Sequence, residues 1–369
     1  MADSTIPILA VDLPQPTPDA EVSRLLERPG FGAVFSDHMV TIRYEEGRGW
    51  FDGQLTARRA LPFELTAMVF HYGQEIFEGL KAYAQQGGGV SIFRPRTNAA
   101  RLNASARRMA MPELPEETFV DALQALVEAD LRFVPKGDGQ SLYLRPFMVA
   151  TEAALGIRPA KEYLFAVLAS PADPIFNSEL RPVTVWLSHE YVRAAPGGTG
   201  SAKTGGNYAA TLLAQRAAAD EGCDQVVWLD AIERRYVEEM GGMNICFVFD
   251  DGDGDGARLV TPELTGTLLD GVTRDSLLTL AGDLGLGASE ERIDVAQWEK
   301  GCREGQITEV FACGTAAVIT PVSHVRYSGG GFDVGDGEIG PVTLRLRQAL
   351  LDIQCGRAPD AHGWMMRAL

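Results

Sequence analysis

The chain has 369 residues, 46% of them hydrophobic, and a formal net charge of -17. That length suits two domains of ordinary size. No uninterrupted apolar run is long enough to cross a bilayer, and the acidic balance argues against nucleic acid or an anionic membrane as partner, since both need concentrated positive charge. The five cysteines, Cys223, Cys246, Cys302, Cys313 and Cys355, are scattered and contain no C-x-x-C pair. They fit reduced thiols in a cytosol, with neither a disulfide framework nor a zinc site.

Met1 to Pro18 is acidic and proline-containing and lacks the basic, apolar order of a signal peptide, so a cytoplasmic protein is expected. A short helix is expected around Ala20 to Leu26, then a strand with a tight turn over Phe31 to Tyr44, where His38 reads as a structural hydrogen-bonding histidine. Ala67 to Gly79 reads as buried strand and turn. Lys81 to Tyr83 and Val90 to Phe93, around three glycines, read as a hairpin. Asn98 to Met109 and Glu116 to Phe133 read as helices, the second burying Phe119, Leu123, Leu126 and Val127. Arg101 lies on the first of them, where an ordinary exposed arginine is an equally good reading. Ser141 to Ala150 is an expected strand with Arg145 among apolar neighbours. An arginine there requires a carboxylate or phosphate partner, because burying an unpaired charge is very costly. Tyr163 to Ser170 and Val183 to Ser188 are further strands. His189 to Gly200 looks like a linker, which divides the chain into a domain over 1–188, a linker over 189–201 and a second domain over 202–369.

Beyond the linker, strands and helices alternate. A helix capped by Asn207 runs to Asp220, with Ala209, Ala210, Leu212, Leu213, Ala214 and Ala217 as its apolar stripe. Strands follow at Gln225 to Leu229, Arg235 to Glu239 and Asn244 to Phe249. The acidic run Asp251 to Gly256 imitates a calcium loop, but its twelfth position is Pro262, so it reads as an exposed hairpin turn. Leu269 to Arg274 enters a helix packed through Leu277, Ala281 and Leu284, and such a turn offers N–H groups to a phosphate. Gln306 to Cys313 is a strand, followed by the small-residue turn Gly314-Thr315-Ala316-Ala317. The last helix starts at Gly340-Pro341 and buries Val342, Leu346, Leu350 and Ile353.

One stretch carries chemistry: Ser201-Ala202-Lys203-Thr204-Gly205-Gly206-Asn207-Tyr208. The chain has only five lysines among 33 basic residues, so a lysine kept between glycine-rich segments invites a reactive role. Burial lowers the pKa of a lysine and makes it a nucleophilic amine for Schiff-base chemistry. Gly197-x-x-x-x-Ala202-Lys203-Thr204 is also one residue from a phosphate-loop pattern, and Val226 to Asp230 imitates the acidic strand end that holds magnesium. Against a nucleotide hydrolase stand the missing glycine before the lysine, the distance back to Ser188, and the glycines where the helix should begin. A lysine of this kind suits pyridoxal 5′-phosphate, which also needs a carboxylate on its ring nitrogen, a hydroxyl near its ring oxygen and a phosphate cup. Tyr208 and the Val272-Thr273 turn offer the last two, while the residues alone leave Glu238 and Glu239 open as the carboxylate.

Lys203-x-Gly-Gly-Asn-Tyr208, Glu239-x-Gly-x-Met-Asn244, Phe77-Glu78-Gly79, Leu144-Arg145-Pro146 and the Gly314-Thr315-Ala316 turn resemble the branched-chain amino acid aminotransferases of the class IV pyridoxal-phosphate family. The resemblance runs from about Phe31 almost to the C-terminus. It implies an α/β fold of type IV, a small N-terminal and a larger C-terminal domain with the cofactor at their interface, and a homodimer. It implies that Lys203 carries the cofactor as a Schiff base and shuttles the substrate proton, that Glu239 pairs with the ring nitrogen, and that Tyr208 bonds the ring oxygen. Arg101, Val272, Thr273 and Thr315 would hold the phosphate. The substrate carboxylate would meet the Thr315-Ala316 turn, and Phe31, Tyr72, Phe77 and Tyr143 would wall the side-chain pocket, with Leu155 and Ile157 arriving from the partner subunit. Arg145 would answer the distal carboxylate of glutamate or 2-oxoglutarate, opposite the branched-chain amino acids and their 2-oxo acids. Two departures are visible: Gly242 replaces a threonine of some members, and Ala317 and Thr320 stand where some carry a redox C-x-x-C. A D-amino-acid aminotransferase or an aminodeoxychorismate lyase would share the lysine and glutamate, but the Tyr143-Leu-Arg145 strand and the aromatic walls favour branched-chain substrates.

Overall fold

The computed structural model describes residues 5–13, 15–173, 180–250 and 256–369. The chain forms two compact units, one of Met1–Ile175, Ala202–Gly205 and Asp352–Leu369, the other of Phe176–Ser201 and Gly206–Leu351. The expected division at 189–201 is thus displaced. Val183–Ser188 joins the second unit because it pairs in parallel with strands there. Ala202–Gly205 belongs to the first unit, and so does the C-terminal strand Met365–Arg367, which completes that unit's sheet.

The first unit contains β1 (Leu9–Ala10), α1 (Asp19–Glu27), β2 (His38–Glu45), β3 (Gly49–Ala57), α2 (Met68–Tyr72), β4 (Glu75–Phe77), β5 (Leu80–Ala84), β6 (Val90–Phe93), α3 (Pro95–Arg108), α4 (Glu116–Ala129), β7 (Ser141–Ala150) and β8 (Glu162–Ala172). Its sheet runs β1-β3-β2-β8-β7-β5-β6 to the C-terminal strand, with β4 added onto β7. The register Ser141↔Ala172 to Ala150↔Tyr163 between β7 and β8 is unbroken. Leu102 and Ala106 of α3, and Phe119, Leu123, Leu126 and Val127 of α4, share a core with Ile42, Leu142, Leu144, Phe165 and Val167 of the sheet. Each large apolar side chain there contributes about 1.5–3 kcal/mol by leaving water. One expectation fails locally. The segment after Ala67 turns into helix α2, closed by Gly73 in the left-handed region at φ 58° with its N–H on the Val69 carbonyl, before β4 begins. His38 is structural: its ring pairs with Asp130 at 2.6 Å while its N–H donates to the other carboxylate oxygen at 3.1 Å.

The second unit contains β9 (Val183–Ser188), α5 (Gly205–Ala209), α6 (Leu212–Asp220), β10 (Gln225–Leu229), β11 (Val237–Met240), β12 (Met243–Asp250), β13 (Ala257–Pro262), α7 (Val272–Asp283), β14 (Gly287–Glu291), α8 (Val295–Glu304), β15 (Ile307–Gly314), β16 (Val318–Tyr327), β17 (Gly330–Asp333) and α9 (Pro341–Gln354). β11-β10-β9-β16-β15-β12 close on themselves through β11–β12, while β13 and β14 extend from β12 and β17 from β16. Closure removes the exposed edges that an open sheet must protect. Val183, Val185, Val227, Phe247, Val310 and Trp298 lie in its core.

The helix expected to start at Asn207 breaks between α5 and α6. Asn207 is no cap: it sits inside α5, and its amide exchanges hydrogen bonds with Thr199 at 2.7 and 2.8 Å. The Thr211 hydroxyl donates to the Tyr208 carbonyl at 2.7 Å, which competes with helix continuation. The buried face of α6 is Ala214 and Ala218, packed with Val226 and Trp228, while Leu212 and Leu213 are exposed. Helix α8 has no counterpart in the sequence reading. Asp294 caps it by accepting the Ala296 N–H at 2.7 Å, and Gly305 at φ 75° ends it. Residues 251–255 of the acidic run lie outside the described residues; β12 and β13 on either side are antiparallel, as a hairpin requires. Among the described residues no helix is long and apolar enough to cross a membrane.

Candidate active site

In the first unit, Lys203 is held at its backbone and desolvated at its amine. Its N–H donates to Ser105 Oγ at 2.9 Å, and its carbonyl accepts the Phe77 N–H at 3.0 Å. Nζ lies 4.7 Å from the centroid of the Phe77 ring. Burial, reinforced by the Arg101 guanidinium and partly opposed by the Glu78 carboxylate, brings the amine down to about 8. The local structure explains the convergence. Alternation along β4 puts Glu75 and Phe77 on one face, and the i, i+4 spacing of α3 does the same for Arg101 and Ser105. Arg101 is anchored by two parallel hydrogen bonds of 2.8 Å to Glu78, a carboxylate with no solvent exposure.

β7 presents Tyr143 and Arg145 on one face. Arg145 Nη2 donates to the Tyr143 hydroxyl at 2.8 Å, and the guanidinium lies 4.9 Å from the Phe77 centroid and 5.2 Å from that of Tyr143. Phe31 meets Tyr143 edge-on at 5.0 Å. Room for Tyr143 depends on Gly79, where a Cβ would stand 2.1 Å from the hydroxyl. The sequence demanded a carboxylate or phosphate for Arg145. Among the described residues no carboxylate pairs with it, and its Nε is buried without a hydrogen-bond partner. Five expected site residues, Phe31, Phe77, Tyr143, Arg145 and Lys203, therefore meet around the Phe77 and Tyr143 rings. Tyr72 is instead tied through its hydroxyl to the Leu155 carbonyl, and Leu155 and Ile157 are 60% and 89% exposed.

In the second unit, β11 separates the two candidate glutamates, since neighbouring side chains on a strand face opposite sides. Glu239 accepts the Leu269 N–H at 2.6 Å and pairs with Arg193 Nε at 2.8 Å, both side chains being buried. Glu238 accepts the Thr267 hydroxyl, has a second oxygen without a hydrogen-bond partner, and is pushed upward by burial. Of the two, Glu239 is the carboxylate that lies beside a buried guanidinium, whereas Glu238 has a hydroxyl as its partner. Asn244 donates to the Leu269 carbonyl at 2.9 Å, and a Cβ on Gly271 would stand 1.9 Å from its side-chain oxygen. That close approach shapes the start of α7, where Gly271 is the N-cap and Val272 and Thr273 are buried. Thr315 and Ala316 form the turn from β15 to β16, which ends on Val318 at φ 64°, a costly conformation for a β-branched residue. A Cβ at Gly242 would come within 3.0 Å of the Tyr208 ring, so the missing threonine leaves that ring room.

The phosphate-loop reading fails on its own residues. The Thr204 hydroxyl donates to Glu75 Oε1 at 3.2 Å, and the Gly205 N–H is taken by the same oxygen. The donors a nucleotide phosphate or its magnesium would need are spent. Sequence reasoning missed Glu75, Ser105 and Arg193. Arg193 carried a usable signal, the one basic Lys or Arg side chain in the 189–201 segment. Glu75 and Ser105 carried none, because their partners lie 130 and 98 residues away.

The amino-transferase class IV family profile matches residues 75–325. The chain is 58% identical over 353 residues, 95% of each chain, to a branched-chain-amino-acid aminotransferase of Mycolicibacterium smegmatis. The crystal structure of the branched-chain amino acid aminotransferase of Escherichia coli matches 90% of this chain and 99% of its own with a TM-score of 0.75 at 27% identity. A second crystal structure, of the T.th. branched-chain amino acid aminotransferase complexed with N-(5′-phosphopyridoxyl)-L-glutamate, matches 89% of this chain and 98% of its own, with a TM-score of 0.72 at 28% identity. The mixed α/β architecture is that of fold type IV, and the chain belongs to the class IV aminotransferases, among the branched-chain-amino-acid aminotransferases.

Proposed function

We propose that this chain is a transaminase that moves the amino group reversibly between L-leucine, L-isoleucine or L-valine and 2-oxoglutarate, with pyridoxal 5′-phosphate carried on Lys203. One observation supports it above the others: the desolvated Lys203 amine and the Arg145 guanidinium, which no carboxylate of the described chain pairs, share the Phe77 ring. An aromatic wall suits a branched aliphatic side chain, and one guanidinium beside it suits the distal carboxylate of the acidic substrate.

The chain's residues fit the cofactor. Lys203 supplies an amine of lowered basicity and Glu239 a buried carboxylate paired with Arg193. Tyr208 and Thr315 supply hydroxyls, and Val272 and Thr273 supply the N-terminal turn of a helix. When bound, pyridoxal phosphate supplies an electron-accepting ring that stabilises negative charge at the substrate Cα. Glu239, oriented by Arg193, keeps the proton on the ring nitrogen, and Lys203 Nζ takes and returns the proton at Cα. Arg101, Val272, Thr273 and Thr315 hold the phosphate, the Thr315-Ala316 turn receives the substrate carboxylate, and Phe31, Phe77 and Tyr143 exclude water from the side-chain pocket, while Tyr72 lies with Leu155 on the exposed face. Leu155 and Ile157 act from the second copy of a cytoplasmic homodimer, in keeping with their exposure here.

The test is borohydride reduction of the purified protein, peptide mapping, and turnover of L-leucine against D-alanine with 2-oxoglutarate. A cofactor-sized mass on the Lys203 peptide and preference for L-leucine are expected. A colourless protein that takes up no pyridoxal phosphate, or one that prefers D-alanine, overturns the proposal.

A further inference from the structure

Ala202–Gly205 belongs to the first unit, although the chain on both sides of it belongs to the second. Hydrogen bonds from Ser105, Phe77 and Glu75 hold this stretch. Ser105 Oγ accepts the Lys203 N–H at 2.9 Å and the Phe77 N–H donates to the Lys203 carbonyl at 3.0 Å. Glu75 Oε1 accepts both the Thr204 hydroxyl, at 3.2 Å, and the Gly205 N–H. Gly200, Gly205 and Gly206 make the stretch intrinsically loose, so its conformation must be imposed from outside. The approach of Glu75 itself requires Gly205, where a Cβ would stand 2.6 Å from Oε1. The carboxyl is withdrawn from water, which pushes it upward, while Gly205, Thr204 and Arg145 pull it back. A partly desolvated carboxylate that accepts two donors from consecutive residues fixes geometry more firmly than a solvated one.

We propose that Glu75, together with Ser105, is a positioning residue for Lys203: by fixing the backbone on both sides of the lysine, it keeps the amine over the Phe77 ring. This rests on the reading that Lys203 is the cofactor lysine. Glu75 touches neither substrate nor cofactor in this role. It acts through the turn, as supporting residues do when a reacting group must be held within a fraction of an ångström.

The test uses the apoprotein of the wild type and of Glu75→Ala, Glu75→Gln, Ser105→Ala and Gly205→Ala. Acetylation of Lys203 is followed against pH by peptide mass, with Lys300, whose side chain is 71% exposed, as internal reference. Half-labelling of the wild type is expected near pH 8. Glu75→Ala and Gly205→Ala are expected to move it up by roughly one pH unit or more, as the amine regains water. Glu75→Gln keeps an acceptor oxygen and is expected to hold it near the wild-type value. After reconstitution, kcat for leucine should fall roughly tenfold or more in Glu75→Ala with KM changed less than about threefold, and Glu75→Gln should recover most of it. Wild-type labelling and kcat in Glu75→Ala and Ser105→Ala overturn the proposal, and so does an equal deficit in Glu75→Ala and Glu75→Gln. Should Glu75→Ala not fold, Gly205→Ala and Glu75→Gln decide by the same labelling. Failure of the cofactor reading shows separately, as a wild-type Lys203 peptide that gains no cofactor mass after borohydride.

Discussion

On the proposed function, Arg145 is the side chain of the first unit that would separate the two substrates. It lies against two aromatic rings with no ion-pair partner among the described residues, so its charge matters for an acidic ligand and little for an aliphatic one. Arg145→Gln is expected to cost the acid about 1.5–3 kcal/mol, roughly 10- to 100-fold in KM for 2-oxoglutarate, and to leave KM for leucine within about threefold. Steady-state kinetics with each substrate varied in turn decides it, and equal losses would point to a purely structural arginine. Gly79→Ala tests the same wall from behind. Its methyl group would stand 2.1 Å from the Tyr143 hydroxyl, so Tyr143 must move and release its hydrogen bond to Arg145. A loss of roughly tenfold or more in kcat/KM for both substrates is expected, along with about 1–3 kcal/mol of stability. That Arg145 stands out was legible from an arginine in an apolar strand; that it would be half-buried and bonded to the Tyr143 hydroxyl was not. The difference between the surroundings of Glu238 and Glu239 was not legible either, because it rests on Arg193, forty-six residues before Glu239 in the sequence, and on which face of β11 each side chain takes.

At the scale of elements, legibility followed the range of the interactions. Helix α9 could be read because Gly340-Pro341 marks its start and Val342, Leu346, Leu350 and Ile353 share a face. What holds that start could not. Glu309, from β15, accepts the Val342 and Thr343 N–H groups at 2.9 and 2.7 Å and the Thr343 hydroxyl at 2.6 Å. Glu309→Ala strands these donors and is expected to cost about 1–3 kcal/mol in chemical denaturation, with leucine KM unchanged. The turn before β11 depends on pH for a related reason. Asp230 accepts four N–H groups, from Ile232, Glu233, Arg235 and Tyr236, and these hold its carboxyl at about 2 against an ordinary 3.8. A carboxyl whose folded pKa is depressed stabilises fully above its unfolded value and loses that contribution as pH falls toward the folded one. The difference in stability between wild type and Asp230→Ala should therefore be constant above about pH 5 and shrink between roughly pH 4 and pH 2. A difference that does not change with pH would mean the turn gains nothing from the charge.

For the molecule as a whole, the family resemblance implied the α/β class and the alternation of strands and helices was compatible with it, while the division of the chain stayed hidden because two short segments cross it. Nothing local tells Ala202–Gly205 or the strand Met365–Arg367 which unit to join; long-range pairing does. Surface composition is more telling. Leu65, Phe70, Tyr72, Leu155 and Ile157, all in the first unit, are 85%, 59%, 40%, 60% and 89% exposed. Ala67 bridges to Ala153, the Ala154 N–H donates to the Thr66 carbonyl, and Tyr72 bonds the Leu155 carbonyl, so these side chains issue from one stitched pair of loops. A cluster of large apolar groups on a monomer surface marks an association site, and a self-complementary patch closes most simply as a twofold dimer. Leu65→Asp with Ile157→Glu would set like charges into that surface on both copies. The pair of substitutions should convert a dimer into a monomer in sedimentation velocity at micromolar concentration while leaving the far-ultraviolet dichroism unchanged. Leucine turnover should fall with the dimer if Leu155 and Ile157 serve the neighbouring copy's pocket. A monomeric variant with full activity would confine the apolar rim to assembly and leave each copy with a complete pocket of its own.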